Sequence, residues 1–245
     1  MGEVLSVVSG KGGTGKTTVC AAVASCLAAE GKSVLCIDAD IGLRNLDIAL
    51  GMAEQSILAF TDVMLGHYTL NEATPHPSIE HLYMLTAPVR ENDKLIDAAV
   101  FGRLLNAARA KFDFCLIDAP AGIGTGFQLA SRYADRCLLV STPDPASMRD
   151  AARAADVLLL RGKEELHLVV NRVQPKLFSR MSLTVDDMMD QVGLPLLGIV
   201  PEDANVVLAA AQGMALILAT DGGAAEACLR ISHRLCGELL PLMKL

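Results

Sequence analysis

The chain has 245 residues and a formal net charge of -7 at pH 7. This excess of acidic side chains disfavours a protein whose surface mainly binds nucleic-acid phosphates. Apolar residues make up 52% of the chain and aromatic residues only 4%, which indicates an aliphatic core. The sequence shows neither an N-terminal signal pattern nor an apolar run of the roughly 18 residues that a membrane-spanning helix needs.

The cysteines are scattered, mostly within apolar runs, and none of them forms a C-x-x-C pair. This distribution favours buried, reduced thiols in a cytoplasmic protein over disulfides or a metal site. The residues concerned are Cys20, Cys26, Cys36, Cys115, Cys137, Cys228 and Cys236.

Short apolar runs alternate with helical patterns along the chain. The predicted strands are Val4–Val8, Ser33–Ile37, His81–Leu85, Phe114–Ile117, Cys137–Ser141, Leu166–Val170 and Leu196–Val200. The predicted helices are Ile57–Leu65, Lys94–Ala110, Gly126–Ala134, Ala146–Leu160, Val185–Val192, Val206–Ala210 and Ala224–Leu240. Such alternation predicts an α/β fold, a mostly parallel twisted sheet with helices on both faces. Because no Gly-, Ser- or Pro-rich linker divides the chain, we expect one domain over residues 1–245, with a C-terminal helix and short apolar tail over 224–245.

A glycine-rich loop follows the first strand and predicts a phosphate-binding site. Residues 10–18 read GKGGTGKTT, which fits the P-loop pattern G-x-x-x-x-G-K-[ST]. Glycines let backbone amides approach an anion, and the helix that follows adds its positive N-terminal end. Lys16 is expected to reach the β- and γ-phosphates, and the Thr17 hydroxyl to bind Mg²⁺. The predicted cradle comprises Gly10, Lys11, Gly12, Gly13, Thr14, Gly15, Lys16, Thr17 and Thr18.

Two other predicted strands end in carboxylates. Asp38 and Asp40 follow the second strand, and Asp118 follows Phe114–Ile117. A lone aspartate at a strand end is commonly a turn or helix-cap residue. In open α/β sheets, however, ligands bind at the carboxyl ends of the strands, so these positions beside a phosphate loop favour function. An aspartate in the position of Asp118 supports Mg²⁺, usually through water, and the backbone N–H of Gly122 is placed to contact a γ-phosphate.

Several stretches together resemble the MinD/ParA family of ATPases. The phosphate loop with its extra lysine, Lys11, resembles the deviant Walker A motif of these ATPases. Residues 38–47, DADIGLRNLD, resemble the first switch segment of the family, and residues 118–123, DAPAGI, resemble the second. Ser147–Asp150 and Pro201–Asp203 match further short motifs. The resemblance runs from about residue 3 to about residue 220, and the first switch segment is most like that of members that place the bacterial division septum.

The resemblance implies a P-loop NTPase fold, ATP or ADP with Mg²⁺ as cofactors, and a role for each site residue. Lys11 would reach across a face-to-face dimer to the ATP of the second copy, and Asp40 would orient the attacking water. Asp38 and Asp118 would support Mg²⁺ through water. The base pocket is assigned to Asn171, Arg172, Pro201, Glu202 and Asp203, with an ordinary strand-end turn as the alternative for these positions.

The function implied by the resemblance is ATP hydrolysis to ADP and phosphate, slow until a partner acts, in a switch that dimerises with ATP. The implied partners are a second copy of the chain and a regulator and an inhibitor of division. The implied location is the cytoplasm, with peripheral attachment to the inner face of the cell membrane.

The C-terminal sequence departs from the family pattern, and this departure disfavours membrane attachment. Septum-placing members of the family end in a basic amphipathic helix. Here Pro241 disfavours a helix, and Lys244 is the only basic residue after Arg234. We therefore expect the apolar positions of the last helix to pack on the sheet: Cys228, Ile231, Leu235 and Leu239.

Four other functions compete with septum placement. A flagellar-number ATPase of the same family is disfavoured by the IGLRNLD run at residues 41–47. A DNA-segregating relative is disfavoured by the net charge of -7. An iron–sulfur carrier on this scaffold would need cysteines after Asp118, and none follows it in that loop. A scaffold that binds nucleotide without hydrolysis is disfavoured by the presence of Asp40 and Lys11.

Overall fold

The structure is a computed structural model of the chain, and it describes residues 2–41, 43–88, 96–180 and 184–243. At its centre lies an eight-stranded sheet with the strand order β3-β4-β2-β5-β1-β6-β7-β8. Every neighbouring pair is parallel except β3 and β4 at one edge. The strands are β1 (Glu3–Val8), β2 (Val34–Asp38), β3 (Thr74–Pro75), β4 (Leu82–Leu85), β5 (Phe114–Asp118), β6 (Arg136–Ser141), β7 (Leu166–Val173) and β8 (Leu196–Pro201). The predicted α/β class and the predicted strands are confirmed, and the short edge strand β3 is additional.

Helices cover both faces of the sheet, as predicted. They are α1 (Lys16–Ala29), α2 (Leu46–Ala49), α3 (Phe60–Met64), α4 (Ala98–Lys111), α5 (Thr125–Arg132), α6 (Pro145–Leu159), α7 (Pro175–Arg180), α8 (Val185–Val192), α9 (Ala204–Ala211), α10 (Leu216–Ala219) and α11 (Ala224–Leu235). The predicted first residue of α4, Lys94, lies outside the described residues. The short helices α2, α7 and α10 were not predicted.

The sheet separates two apolar cores. Val4 and Val8 of β1 face the core that α4, α5, α6 and α8 cover, whereas Leu5 and Val7 face the core that α1 and α11 cover. Side chains alternate between the two faces of a strand, and both faces of a parallel sheet are buried, so β1 is apolar on both sides. All seven cysteines are free thiols, and all but Cys236 are buried, as predicted.

Strand register brings the predicted site residues to one edge of the sheet. Asp38 at the end of β2 pairs in register with Asp118 at the end of β5. Val7, three residues before the glycine loop, pairs with Asp118 on the other side. The loop between β1 and α1 therefore lies beside both carboxylates, at the carboxyl ends of the central strands, where open α/β sheets bind ligands.

The last helix is shorter than predicted. It ends at Leu235 instead of Leu240, since Gly237 adopts a left-handed φ of 90° that turns the chain. Cys228, Ile231 and Leu235 are buried as expected, but the expectation that Leu239 packs on the sheet is wrong, because Leu239 lies beyond the helix and is fully exposed. Arg234 donates hydrogen bonds to the carbonyl of Leu240 and folds the following segment back onto α11.

Within the described ranges, none of the helices combines the length and the apolar character that crossing a membrane requires.

Candidate nucleotide site

The glycine loop has a backbone that side chains would disrupt. Gly15, the residue before α1, has a φ of 84°, in the left-handed region that favours glycine. A Cβ on Gly15 would lie 2.1 Å from Nδ2 of Asn171, and one on Gly10 would lie 2.1 Å from the carbonyl oxygen of Asp150. Glycine is thus required at the first and last fixed glycine positions of the motif, by close packing against α6 and β7 respectively.

Lys16 is buried inside the loop and pairs with Asp118. Its Nζ lies 2.6 Å from Oδ1 of Asp118, and the two side chains are only 6% and 1% exposed. The Thr17 hydroxyl donates to the other carboxylate oxygen, Oδ2, at 2.7 Å. Burial raises the pKa of Asp118, while the charge of Lys16 and the two hydrogen bonds act in the opposite direction. A phosphate that binds Lys16 must therefore compete with Asp118.

The same group of atoms fits Mg²⁺. Magnesium prefers oxygen ligands and in phosphate sites is commonly held by one or two protein groups, phosphate oxygens and water. The Thr17 hydroxyl and the Asp118 carboxylate supply such oxygens side by side, 2.7 Å apart, next to the phosphate lysine.

Asp38 organises the loop that carries Asp40. Its Oδ1 accepts the backbone N–H of Asp40 at 2.9 Å, and its Oδ2 accepts that of Leu46 at 3.1 Å. Burial, with the nearby charge of Asp118, raises the pKa of Asp38 to about 7. Burial also raises the pKa of the half-buried Asp40, and the charge of Lys16 opposes this shift. Lys16 is thus the buried cation whose charge acts on both Asp118 and Asp40.

The shifted pKa of Asp38 predicts that the stability of the metal-free protein depends on pH. Its pKa is raised from 3.8 to about 7 on folding, so the folded state binds more protons between these values. Asp38 therefore contributes stability that is fully present below about pH 4 and is lost as the pH rises to about 7. Thermal unfolding between pH 4 and pH 8 should show this trend, and the Asp38→Asn variant should show a weaker one. If the melting temperature changes equally with pH in the wild type and in Asp38→Asn, the raised pKa of Asp38 is not the cause of the pH dependence.

The second switch segment is held against the glycine loop. The backbone N–H of Gly122 donates to the carbonyl of Ser9 at 3.0 Å. The expectation that this N–H faces a γ-phosphate is not met in this arrangement, because the donor is already bonded within the protein.

Lys11 lies on the outer side of the loop, in contrast to Lys16. Its Nζ is 3.7 Å from Oδ1 of Asp144, and the two side chains are 45% and 48% exposed. Exposed ion pairs contribute about 0–1 kcal/mol, so Lys11 can leave Asp144 at little cost. A hydrogen bond from the Thr142 hydroxyl is the main cause that lowers the pKa of Asp144. Sequence reasoning missed Asp144, although an aspartate before Pro145 is a recognisable helix-cap signal.

The residues assigned to a base pocket meet at one cavity. Asn171, Arg172 and Pro201–Asp203 line a space of about 330 Å³ that opens beside Gly13 and Gly15. The Asn171 amide donates to the carbonyl of Thr14 at 2.8 Å, which fixes its orientation. Arg172 donates to both oxygens of Glu202, at 2.7 and 3.1 Å. Asp203 caps α9 and also accepts the N–H of Ala224.

An apolar wall completes this cavity, and no sequence motif indicated it. It is formed by Val200, Val206, Val207, Leu216 and Cys228, which come from β8, α9, α10 and α11. Cavities of a few hundred Å³ with apolar walls and a few oriented polar groups are typical of small-molecule sites. The size and the position beside the phosphate loop suit the ring of a nucleotide.

A buried strand, a glycine loop and a helix at the centre of a parallel sheet define this protein as a P-loop nucleotide-binding protein. The sequence profile described as the CobQ/CobB/MinD/ParA nucleotide binding domain matches residues 5–217. The chain belongs to this family, whose MinD/ParA members are nucleotide-binding ATPases.

The similar proteins place the chain near the septum-placing members. It is 37% identical over 247 residues to the septum site-determining protein MinD of Helicobacter pylori, covering 97% of this chain and 92% of that protein. Among solved structures, MinD in the MinC:MinD cell division protein complex of Aquifex aeolicus is 34% identical, with a TM-score of 0.91 and 99% of both chains covered. MinD of Pyrococcus horikoshii, complexed with Mg-ADP, is 26% identical, with a TM-score of 0.83 and 96% of both chains covered.

Proposed function

We propose that the chain is a MinD-type switch ATPase that takes part in placing the bacterial division septum. Similarity to septum site-determining proteins over nearly the whole chain supports the biological role. The observation that carries the mechanism is the contrast between two lysines of one loop. Lys16 is buried on Asp118, whereas Lys11 is nearly half exposed at the outer side of the loop. One lysine serves the bound phosphate, and the other is free to act outside its own subunit.

The nucleotide is held by the loop and the cavity together. The backbone amides of residues 10–18 and the start of α1 bind the phosphates, and Lys16 adds its charge. Thr17 would bind Mg²⁺ through its hydroxyl, and Asp118 and Asp38 would support the ion through water. The base occupies the cavity beside Asn171 and Pro201–Asp203. Mg²⁺ supplies charge neutralisation at the phosphates when it is bound.

Hydrolysis depends on Asp40 and on a second copy of the chain. Asp40 orients the attacking water from the loop that Asp38 organises. Lys11 adds positive charge to the phosphates bound by the other subunit, in the manner of an arginine finger. The chain alone supplies little more than position and charge, so turnover is slow until a partner completes the site.

The proposed partners are this second copy, an inhibitor and a regulator of division. One relative is present in a MinC:MinD cell division protein complex, which supports an inhibitor as a partner of this chain. We place the protein in the cytoplasm and assign only weak contact with the membrane surface. The segment after α11 folds back on the helix through Arg234, and Leu239 in this segment is fully exposed.

The Asp40→Ala variant tests the proposed hydrolysis. We expect phosphate release to fall by about 10²-fold or more, the usual loss when a group that positions or activates a reactant is removed. ATP binding should stay near that of the wild type, because Asp40 lies outside the phosphate loop. The matched control is Asp47→Asn in the same segment, since among the described residues the Asp47 carboxylate accepts only the N–H of Ile48 next to it.

The outcome for the wild type also separates hydrolysis from simple binding. Phosphate release that is lost in Asp40→Ala and retained in Asp47→Asn supports the proposal. If the wild type releases no phosphate with ATP, Mg²⁺, vesicles and a MinC-like partner present, the chain is a nucleotide-binding scaffold.

A further inference from the structure

His76 is a buried histidine outside the nucleotide site, and both of its ring nitrogens are engaged. It lies directly after β3 and is 8% exposed. Its Nδ1 accepts the backbone N–H groups of Ser78 and Ile79, each at 3.0 Å. The ring proton must then lie on Nε2, which donates to the carbonyl of Leu50 at 2.8 Å. Burial lowers the pKa of His76, which keeps the ring neutral and preserves this arrangement.

The carbonyl that His76 binds belongs to the end of α2. This helix has four residues, so it has little stability of its own and depends on tertiary contacts. Its first amide, that of Leu46, is bound by Asp38, and its last turn ends at Leu50, whose carbonyl is bound by His76. Leu46 and Leu50 are also fully buried in the core on the α1 side.

Several hydrogen bonds attach residues 38–41 and 43–50 to the rest of the protein, among them that of Arg44 to the Thr86 hydroxyl and that of His76 to the Leu50 carbonyl. Asp38 holds the start of α2 from the end of β2, and His76 holds its end from the edge of the sheet. Asp40 lies in this segment, and its own backbone N–H is bound by Asp38. Loss of the attachment at Leu50 would allow α2 to fray and Asp40 to move relative to the phosphates.

We propose that His76 is a positioning residue for ATP hydrolysis, which holds the end of α2 through the Leu50 carbonyl and thereby fixes the segment that carries Asp40. The inference rests on the proposed role of Asp40. Displacement of a reactive group by about 1 Å can cost roughly 10²-fold in rate. Partial loosening of the segment should therefore lower turnover without removing nucleotide binding, because within the described ranges no hydrogen bond joins His76 to the phosphate loop or to the base cavity.

Two conservative variants separate the two nitrogens of the ring. In His76→Gln the amide nitrogen reaches the place of Nε2 and keeps a donor for Leu50, but the acceptor for Ser78 and Ile79 is lost. In His76→Asn the amide oxygen replaces Nδ1 as acceptor for the turn, but the donor for Leu50 is lost. The melting temperature of each variant is measured beside its turnover, so that an effect on positioning is separated from an effect on stability.

The experiment measures phosphate release at saturating Mg-ATP, the KM for ATP and the melting temperature of the full chain. We expect His76→Asn to lower kcat about tenfold and to change the KM less than about twofold. His76→Gln should keep kcat near the wild-type value. If the two variants have the same kcat, or if kcat follows only the melting temperature, the proposal is wrong.

Hydrogen exchange provides a readout that does not depend on hydrolysis. The amides of Leu46 and Leu50 should exchange faster in His76→Asn than in His76→Gln, because α2 opens locally when its end is released. If the amides exchange at equal rates in the two variants, the hydrogen bond of His76 to the Leu50 carbonyl does not hold the end of α2, and the proposal is wrong. If exchange differs but Asp40→Ala keeps full turnover, the proposed role of Asp40 fails while the attachment stands. If exchange differs, Asp40→Ala is inactive and His76→Asn keeps full turnover, then His76 does not position Asp40.

Discussion

The Lys16→Met variant is expected to lose nucleotide binding and also to melt at a lower temperature than the wild type. Lys16 supplies the only buried cation that contacts Asp118 among the described residues, and Asp118 is 1% exposed. Removing one partner of a buried ion pair typically costs about 3–5 kcal/mol, because the other charge stays buried. The Thr17 hydroxyl still donates a hydrogen bond to Asp118 in this variant, which reduces the destabilisation. We therefore expect the free energy of unfolding to fall by about 3 kcal/mol, which lowers the melting temperature of a chain of this size by roughly 6–12 °C.

A double variant separates the two effects of Lys16. Lys16→Met with Asp118→Asn removes both charges of the pair, so the melting temperature should recover while ATP binding stays absent. Calorimetric titration with Mg-ATP and thermal unfolding of the three proteins measure this. Wild-type ATP affinity in Lys16→Met would contradict the assignment of the phosphate loop. A double variant that melts no higher than Lys16→Met would show that the buried pair is not the source of the lost stability.

The Lys11→Ala variant should have the opposite profile, with ATP binding retained and turnover lost. Lys11 is exposed and contacts only Asp144 among the charged side chains that the structure describes, so its removal disturbs neither the loop nor the core. ATP affinity should stay within about threefold of the wild type, the range typical of a lost surface contact. Partner-stimulated turnover should fall about 10³-fold or more, the contribution of a finger residue supplied by another subunit. The ATP-dependent dimer, followed by light scattering, should disappear.

Asp144→Asn is the matched control for Lys11→Ala. An asparagine at this position can still accept the N–H of Ser147 at the start of α6, but it no longer pairs with Lys11 as a charge. Dimerisation and turnover should persist in this variant. A normal dimer in Lys11→Ala would refute the role in the second subunit. Equal losses in Lys11→Ala and Asp144→Asn would show that Lys11 acts through its own subunit.

The fold was largely predictable where elements are long and periodic. The buried strands Val4–Val8 and Cys137–Ser141 are apolar runs bounded by turns, and their positions were predicted within a residue or two. β3 was missed because it is two residues long, contains Pro75 and exists through its pairing with β4. The end of α11 was misplaced because the apolar spacing continues to Leu239 while Gly237 turns the chain.

The predicted site residues do meet in space, but their contacts were not predictable. The sequence indicates that Lys16 and Asp118 lie near phosphate, yet it does not show that they pair with each other at 2.6 Å. It does not show that both oxygens of Asp38 bind backbone amides. The apolar wall of the base cavity comes from residues that carry no motif, such as Val207 and Leu216.

The sequence by itself determined the chemistry of this protein, because the phosphate loop and both switch segments are contiguous runs whose residue types and spacing define their use. Only the tertiary structure decided which side chains those runs contact. Asn171 meets Thr14 across 157 positions, Asp118 meets Lys16 across 102, and His76 meets Leu50 across 26. Such pairs are created by strand order and helix packing, so no local pattern records them. The burial of Lys16 and the exposure of Lys11, five residues apart, follow from that packing.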